Sequence, residues 1–153
     1  MPVLEIKKAG DPVLREKCQP INTFDRKLRL LLNNMADTMY KADGVGLAAP
    51  QIGLSIAVVV IDVGEGIIEL INPKIIEREG TIEDTEGCLS VPGVYGTVER
   101  SARVVAEFQN RYGKKRTIEG TELLARAIQH ELDHLEGVLF TDKVTSFLEP
   151  EEA

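Results

Sequence analysis

The chain contains two histidines, and they stand four residues apart, His130 and His134, in the stretch AIQHELDHLEG with Glu131 between them. On an α-helix, residues i and i+4 lie on one face, one turn apart, so both imidazoles can point at one ion. Glu131 lies one residue on, about 100° around the helix. From there it can reach a water beside the ion without binding the ion itself. This is the logic of H-E-x-x-H: two ligands and one general base. The plainer reading is a solvated helix face that carries two titratable histidines. Asp133 and Glu136 of the same stretch read as solvated charges, and Asp133 can also orient a ligand from behind.

Two histidines do not complete a catalytic metal site, which ordinarily has three protein ligands and one open position. With no third histidine, the third ligand must be Cys, Asp or Glu. Asp142 and Glu149 follow the pair closely, and neither sits on a segment that could turn back. Cys88, in TEGCLSVPG, is the stronger candidate, because thiolate binds divalent transition metals well. The competing reading of Cys88 is an inert buried cysteine. Cys18, in REKCQP, has no chemical neighbours and reads as a small buried hydrophobe.

The elements that must position these residues follow from periodicity. Residues 122–137 carry Leu123, Leu124, Ala127, Ile128 and Leu135 at helical spacing, with Gly137 placed to end the helix. A first amphipathic helix is expected over about 24–42, with Leu28, Leu31, Leu32, Met35 and Met39 on its core side. DPVLREK (11–17) predicts a short helical turn with Asp11 as cap and Pro12 at the first position. Between the helices come strands: buried and β-branched IAVVVIDV (56–63), then EGIIELINPKIIEREG (65–80), broken at Pro73. GCLSVPGVYG (87–96) reads as a strand segment bounded by glycines, and 103–120 as a hairpin turning at 111–114. Strands cluster between helices, so the expected class is α+β, with mainly antiparallel sheets packed around a central metal-binding helix. The tail, about 146–153 and acidic, is expected to fray.

Length and composition bound the rest. The chain has 153 residues, 43% hydrophobic and 28% charged, which fits one globular domain over 1–153. A net charge of -7 argues against a nucleic-acid binder, which would show a basic patch. No apolar run reaches the ~20 residues of a membrane span. The N-terminus lacks the basic start and apolar core of a signal peptide, so two free cysteines in a reducing compartment are expected.

Three segments together, GVGLAAPQ (44–51), EGCLS (86–90) and QHELDH (129–134), resemble the three signature motifs of the peptide deformylases, in the same order and spacing, over about residues 2–145. The resemblance implies a metal-dependent hydrolase that takes the formyl group from the formylmethionine of newly made polypeptides and releases formate. It implies Cys88, His130 and His134 as ligands of one divalent ion, Fe(II) in cells, with Ni, Co or Zn in preparations. It implies Glu131 as the catalytic carboxylate. The Gln51 side-chain amide and the Leu89 backbone N–H would donate to the formyl oxygen, and Val45 and Gly46 would line an extended substrate. The implied setting is the bacterial cytoplasm, or an organelle, with the protein a monomer. Ribosome docking through a basic C-terminal helix is not expected, because the chain ends in TSFLEPEEA.

A methionine side chain needs an apolar seat beside the metal helix. Leu123 and Ala127, seven and three residues before His130, share its face, and Val45 would lie opposite. Arg126, four before His130, could line the seat with its stem while its charge reaches solvent. Glu86 and Arg100 flank the cysteine strand and are expected to pair and order EGCLS. Read without the resemblance, GVGLAAPQ is a turn at Gly44 and Gly46 followed by core Leu47, Ala48 and Ala49. Two other functions compete. An H-E-x-x-H metallopeptidase requires a third ligand downstream. A metal- or peptide-binding module without catalysis leaves Glu131 dispensable and Gln51 without a role.

Overall fold

Strand β2 (Val58–Ile61) is buried on both faces, which decides the arrangement of everything around it. Val58 and Val60 point into one apolar cluster with Leu28, Leu32, Met35 and Met39, while Val59 and Ile61 point into a second with Ala125, Ala127, Ile128 and Leu135. Alternate residues of a strand face opposite sides. The sheet is therefore sandwiched between helix α1 (Arg26–Lys41) and helix α2 (Glu122–Leu135). This accounts for the unbroken apolar run in the sequence: a strand covered on both faces has no polar side to show.

The computed structural model describes residues 3–149. The sandwiched sheet has five strands in the order β1-β2-β3-β6-β7: β1 (Gly46–Ala48), β2, β3 (Ile68–Glu79), β6 (Arg103–Gln109) and β7 (Lys115–Thr121). A second sheet has three, β4 (Ile82–Cys88), β5 (Val91–Arg100) and β8 (Val144–Leu148), in the order β4-β5-β8. All ladder pairings are antiparallel, so the class is α+β. Among the described residues no helix is long and apolar enough to cross a membrane.

Local chemistry sets the boundaries. The Asp25 side chain accepts from Leu28 N (3.0 Å) and starts α1, and Asp11 caps the short 3₁₀ turn Pro12–Arg15 in the same manner. Helix α2 ends in a Schellman motif: Val138 N bonds Asp133 O and Gly137 N bonds His134 O, with Gly137 at φ +77°.

Three expectations need correction. Pro73 does not break β3, which runs from Ile68 to Glu79. The register shifts between Ile71 and Lys74, a bulge that takes up the missing donor, and Asn72 sits there at φ +52° with its side chain bonded to Ile21 N and O. Residues 87–96 are not one strand, because Leu89 and Ser90 turn β4 into β5. The tail does not fray at 146–148. Val144–Leu148 pairs with Tyr95–Val98, since β5 offers it an open edge and Thr145 and Ser146 bond across to Thr97. Residues 150–153 lie outside the described residues. Cys18 is half-buried against the α2-side cluster, and burial pushes its thiol up to about 11, which keeps it an inert hydrophobe.

A Cβ on Gly137 would stand 2.5 Å from Arg15 O, on a backbone conformation that L-residues adopt at a cost of about 1–2 kcal/mol. Gly137→Ala is expected to lower unfolding stability by at least that amount in a denaturant titration. An unchanged midpoint would contradict this account of the helix end.

Candidate active site

Helix α2 presents His130 and His134 to the second sheet, their ring centroids 5.1 Å apart and inclined at 66°. Cys88, at the end of β4, comes to meet them. Its Sγ lies 3.4 Å from His134 Nε2, and one donor atom from each of the three residues falls within 4.8 Å of the others. Two residues four apart on one helix offer two donor atoms, and a hairpin 42 positions before His130 offers the third. The set is one cysteine sulfur and two imidazoles, a combination that suits Fe, Co, Ni or Zn.

Behind His130 stands a buried carboxylate. His130 Nδ1 and Glu86 Oε1 are 2.9 Å apart, so the ring donates from Nδ1 and leaves Nε2 for the ligand side. Glu86 in turn accepts from Arg100 Nε (2.8 Å) and Nη2 (2.9 Å) and from Arg126 Nη1 (2.6 Å). The expected Glu86–Arg100 pair is thus formed, and it is fully buried. Burial opposes ionisation of Glu86, but Arg100 and His130 outweigh it and hold its carboxyl well below the usual range. Asp133, read as a solvated charge or an orienting group, takes the second role: it accepts from Arg100 Nη1 (2.6 Å) and pairs with Lys143. Glu136 stays at the surface near Lys17.

Glu131 is 4% exposed, and its Oε1 has no hydrogen-bond partner among the described residues. Its Oε2 lies 3.9 Å from His130 Nε2. Burial pushes its carboxyl up to about 7, which the charge of His130 only partly offsets. For His130, burial opposes the charged form, yet Glu131, Cys88 and Glu86 outweigh it and push the ring up to about 10. His134 goes the other way, held well below its ordinary value by burial and by the charges of His130 and Arg100. The anionic field that would load a proton onto His130 acts equally on a divalent cation at the same place. An orphaned carboxylate oxygen, a pre-oriented imidazole and a cysteine sulfur within reach together fit a metal ion.

Gln51 is buried in a 3₁₀ turn, Ala49–Ile52, beyond β1. Its Oε1 accepts from Ala48 N (2.9 Å), which fixes the amide so that Nε2 faces Ser90 Oγ (3.2 Å) and Cys88 Sγ (3.6 Å). Leu89 follows Cys88 in the turn and packs toward Gly44. Both glycines of GVG lie against side chains of the site, and Gly46 belongs to β1 and not to a turn. A Cβ on Gly46 would stand 2.6 Å from Glu131 Oε2, and one on Gly44 would stand 2.6 Å from Leu89 Cδ1. The other half of the plain reading holds, since Leu47, Ala48 and Ala49 are core.

These residues open on a cleft of about 540 Å³. Val45 (44% exposed) and Leu123 (50% exposed) line it as apolar surface, with Ala127 on the same wall. Leu123 is therefore not plain core. Arg126 corrects its expectation: its charge does not reach solvent but turns inward to Glu86, Val98 O and Ile82 O. Val94 and Tyr95 of β5 form part of the rim and were not anticipated, because a glycine-bounded strand carries no chemical signal. Ser90 was also missed, although its place within EGCLS was a usable hint.

The chain is similar to known proteins over nearly its whole length. The polypeptide deformylase family profile matches residues 3–149. The peptide deformylase of Acetivibrio thermocellus is 56% identical over 152 residues, covering 99% of this chain and 89% of that one. That of Alkaliphilus metalliredigens is 56% identical over 144 residues, covering 94% and 98%. In fold, the crystal structure of the Thermotoga maritima peptide deformylase superposes with a TM-score of 0.93 at 43% identity, covering 95% of this chain and 99% of that one.

Neutralising the carboxylate behind His130 removes the group that fixes its tautomer and ring orientation. Loss of such a partner typically weakens metal affinity by about 10–100-fold. Glu86→Gln is expected to show that loss in competition against a chelator. Wild-type retention would contradict the role given to Glu86.

Proposed function

Because this chain belongs to the peptide deformylase family, metal-dependent hydrolases that remove the N-terminal formyl group from peptides, we propose that Cys88, His130 and His134 hold its ion and that Glu131 carries the proton. The observation that carries this reading is the buried Glu131 carboxylate, its Oε1 unpartnered among the described residues and its Oε2 3.9 Å from His130 Nε2, one of the three clustered donor residues. A buried acceptor without a donor is costly unless the site itself supplies one.

When bound, the ion supplies Lewis acidity, which makes water nucleophilic near neutral pH. Glu131 takes the proton of the attacking water and returns it to the amine as the C–N bond breaks, so formate and a free amino terminus leave. Its carboxyl, raised by burial toward neutrality, suits both halves of that shuttle. As charge grows on the formyl oxygen, the Gln51 Nε2–H and the Leu89 backbone N–H donate to it. Gln51 arrives already oriented by Ala48 N, so little reorganisation accompanies the reaction. Val45 and Gly46 line the peptide backbone. β1 is an edge strand, which suits an extended substrate laid along it. Leu123, Ala127 and Val45 receive the methionine side chain.

The ion is proposed as Fe(II), with Ni, Co or Zn able to use the same donors. The proposed substrate class, formylmethionyl chains fresh from synthesis, suits a bacterial-cytoplasmic or organellar setting, and the enzyme is proposed to act as a monomer. A metallopeptidase reading is disfavoured, because the third donor lies upstream and is a thiol.

The test is formate release by the ion-loaded protein from formyl-Met and acetyl-Met peptides. Release from the first alone is expected, with Glu131→Gln slower by about 10²–10⁴-fold while the ion is retained. Equal inactivity on both peptides at full occupancy would overturn the proposal.

A further inference from the structure

Helix α2 shares its apolar cluster with the five-stranded sheet, through Val59, Ile61, Leu70, Val104 and Ala106. No residue of β4, β5 or β8 belongs to that cluster. Yet the thiol of Cys88 is on β4 and both imidazoles are on α2, so the spacing of the three donors depends on how the small sheet is held against the helix. Polar side chains do the holding. Asp133 grips Arg100 of β5, Gln129 grips the backbone of Ser101, and His130 grips Glu86 of β4. Among the described residues of α2, Arg126 alone bonds to both strands. It donates to Glu86 Oε2 (2.6 Å), to Val98 O (2.9 Å) on β5 and to Ile82 O (2.8 Å) on β4.

We infer that Arg126 is a positioning residue: its guanidinium locks the cysteine-bearing sheet onto the histidine-bearing helix and so sets the distance from Cys88 to the two imidazoles. The requirement is specific to arginine. Three acceptors on two strands must be met from one buried head, and the planar fork meets them in fixed directions. An ammonium is a compact point charge that can serve the carboxylate but not both flanking carbonyls. Arg126 also lines the substrate cleft, together with Leu123, Ala127 and Glu86.

This inference rests on the proposed ligand set, and one experiment separates the two. The full chain, loaded with Co(II), is followed by its thiolate-to-metal absorption band and by the rate at which a chelator strips the ion, with melting recorded alongside. Wild type is expected to show the band. Arg126→Met should shift or weaken it and speed ion loss by about 10–100-fold, the range seen when outer partners of ligands are removed. Arg126→Lys should fall between the two. Arg111→Met, which breaks a remote ion pair with Glu69, should change neither readout. A wild-type band and stripping rate in the Lys variant overturns the inference, and that variant decides the matter if the Met variant does not fold. Absence of a thiolate band in the wild type overturns the ligand set itself, and this inference with it.

Discussion

The carboxylate of Glu86 is the group on which the rest of the site depends. Taking a charge out of water costs several kcal/mol unless partners replace the lost hydration. Here the replacement is complete: two N–H groups of Arg100, one of Arg126 and the Nδ1–H of His130 all converge on its two oxygens. The partners come from two elements, Arg100 from β5 and Arg126 and His130 from α2. Satisfying one buried charge therefore fixes the hairpin against the helix. The same charge selects the His130 tautomer that leaves Nε2 free, and Asp133 and Lys143 carry the alternation of charge on to the surface.

The larger fold supplies a rigid floor for this arrangement. A sheet packed on both faces lets α2 press its apolar side onto Val59 and Ile61 while its other side faces the small sheet. The Glu131 carboxylate, the proposed proton carrier, is brought closer to β1 than a side chain at position 46 would allow, and the absence of a Cβ on Gly46 makes the approach feasible. Gln51, one turn further on, is aimed by a bond to the backbone of Ala48. The proposed substrate edge, the Gln51 donor and the proposed proton carrier thus come from GVGLAAPQ and the helix that packs on it, while the second proposed donor, Leu89, comes from the β4–β5 turn.

Much of this was legible in the sequence. Spacing alone places His130 and His134 on one helix face, and the lack of a third histidine points back to Cys88. The three motifs together carry the family, and the structure brings their residues to one place. Arg126 was misread because helical periodicity reports a face and not a depth: the face toward the cleft is also the face toward Glu86. The glycines of GVG read as a turn because sequence does not show what a missing Cβ makes room for. Residues 146–148 read as part of a loose tail by composition, since an open edge on β5 is a property of the sheet and not of the segment that pairs with it.

The central claim is that one ion is held by a thiol from the hairpin and two imidazoles from the helix. X-ray absorption at the metal edge of the protein as purified tests it most directly, because it counts the donors and identifies the element together. The account predicts one sulfur neighbour and two imidazole nitrogens, with the sulfur lost in Cys88→Ser. A metal shell with no sulfur in the wild-type protein would contradict it.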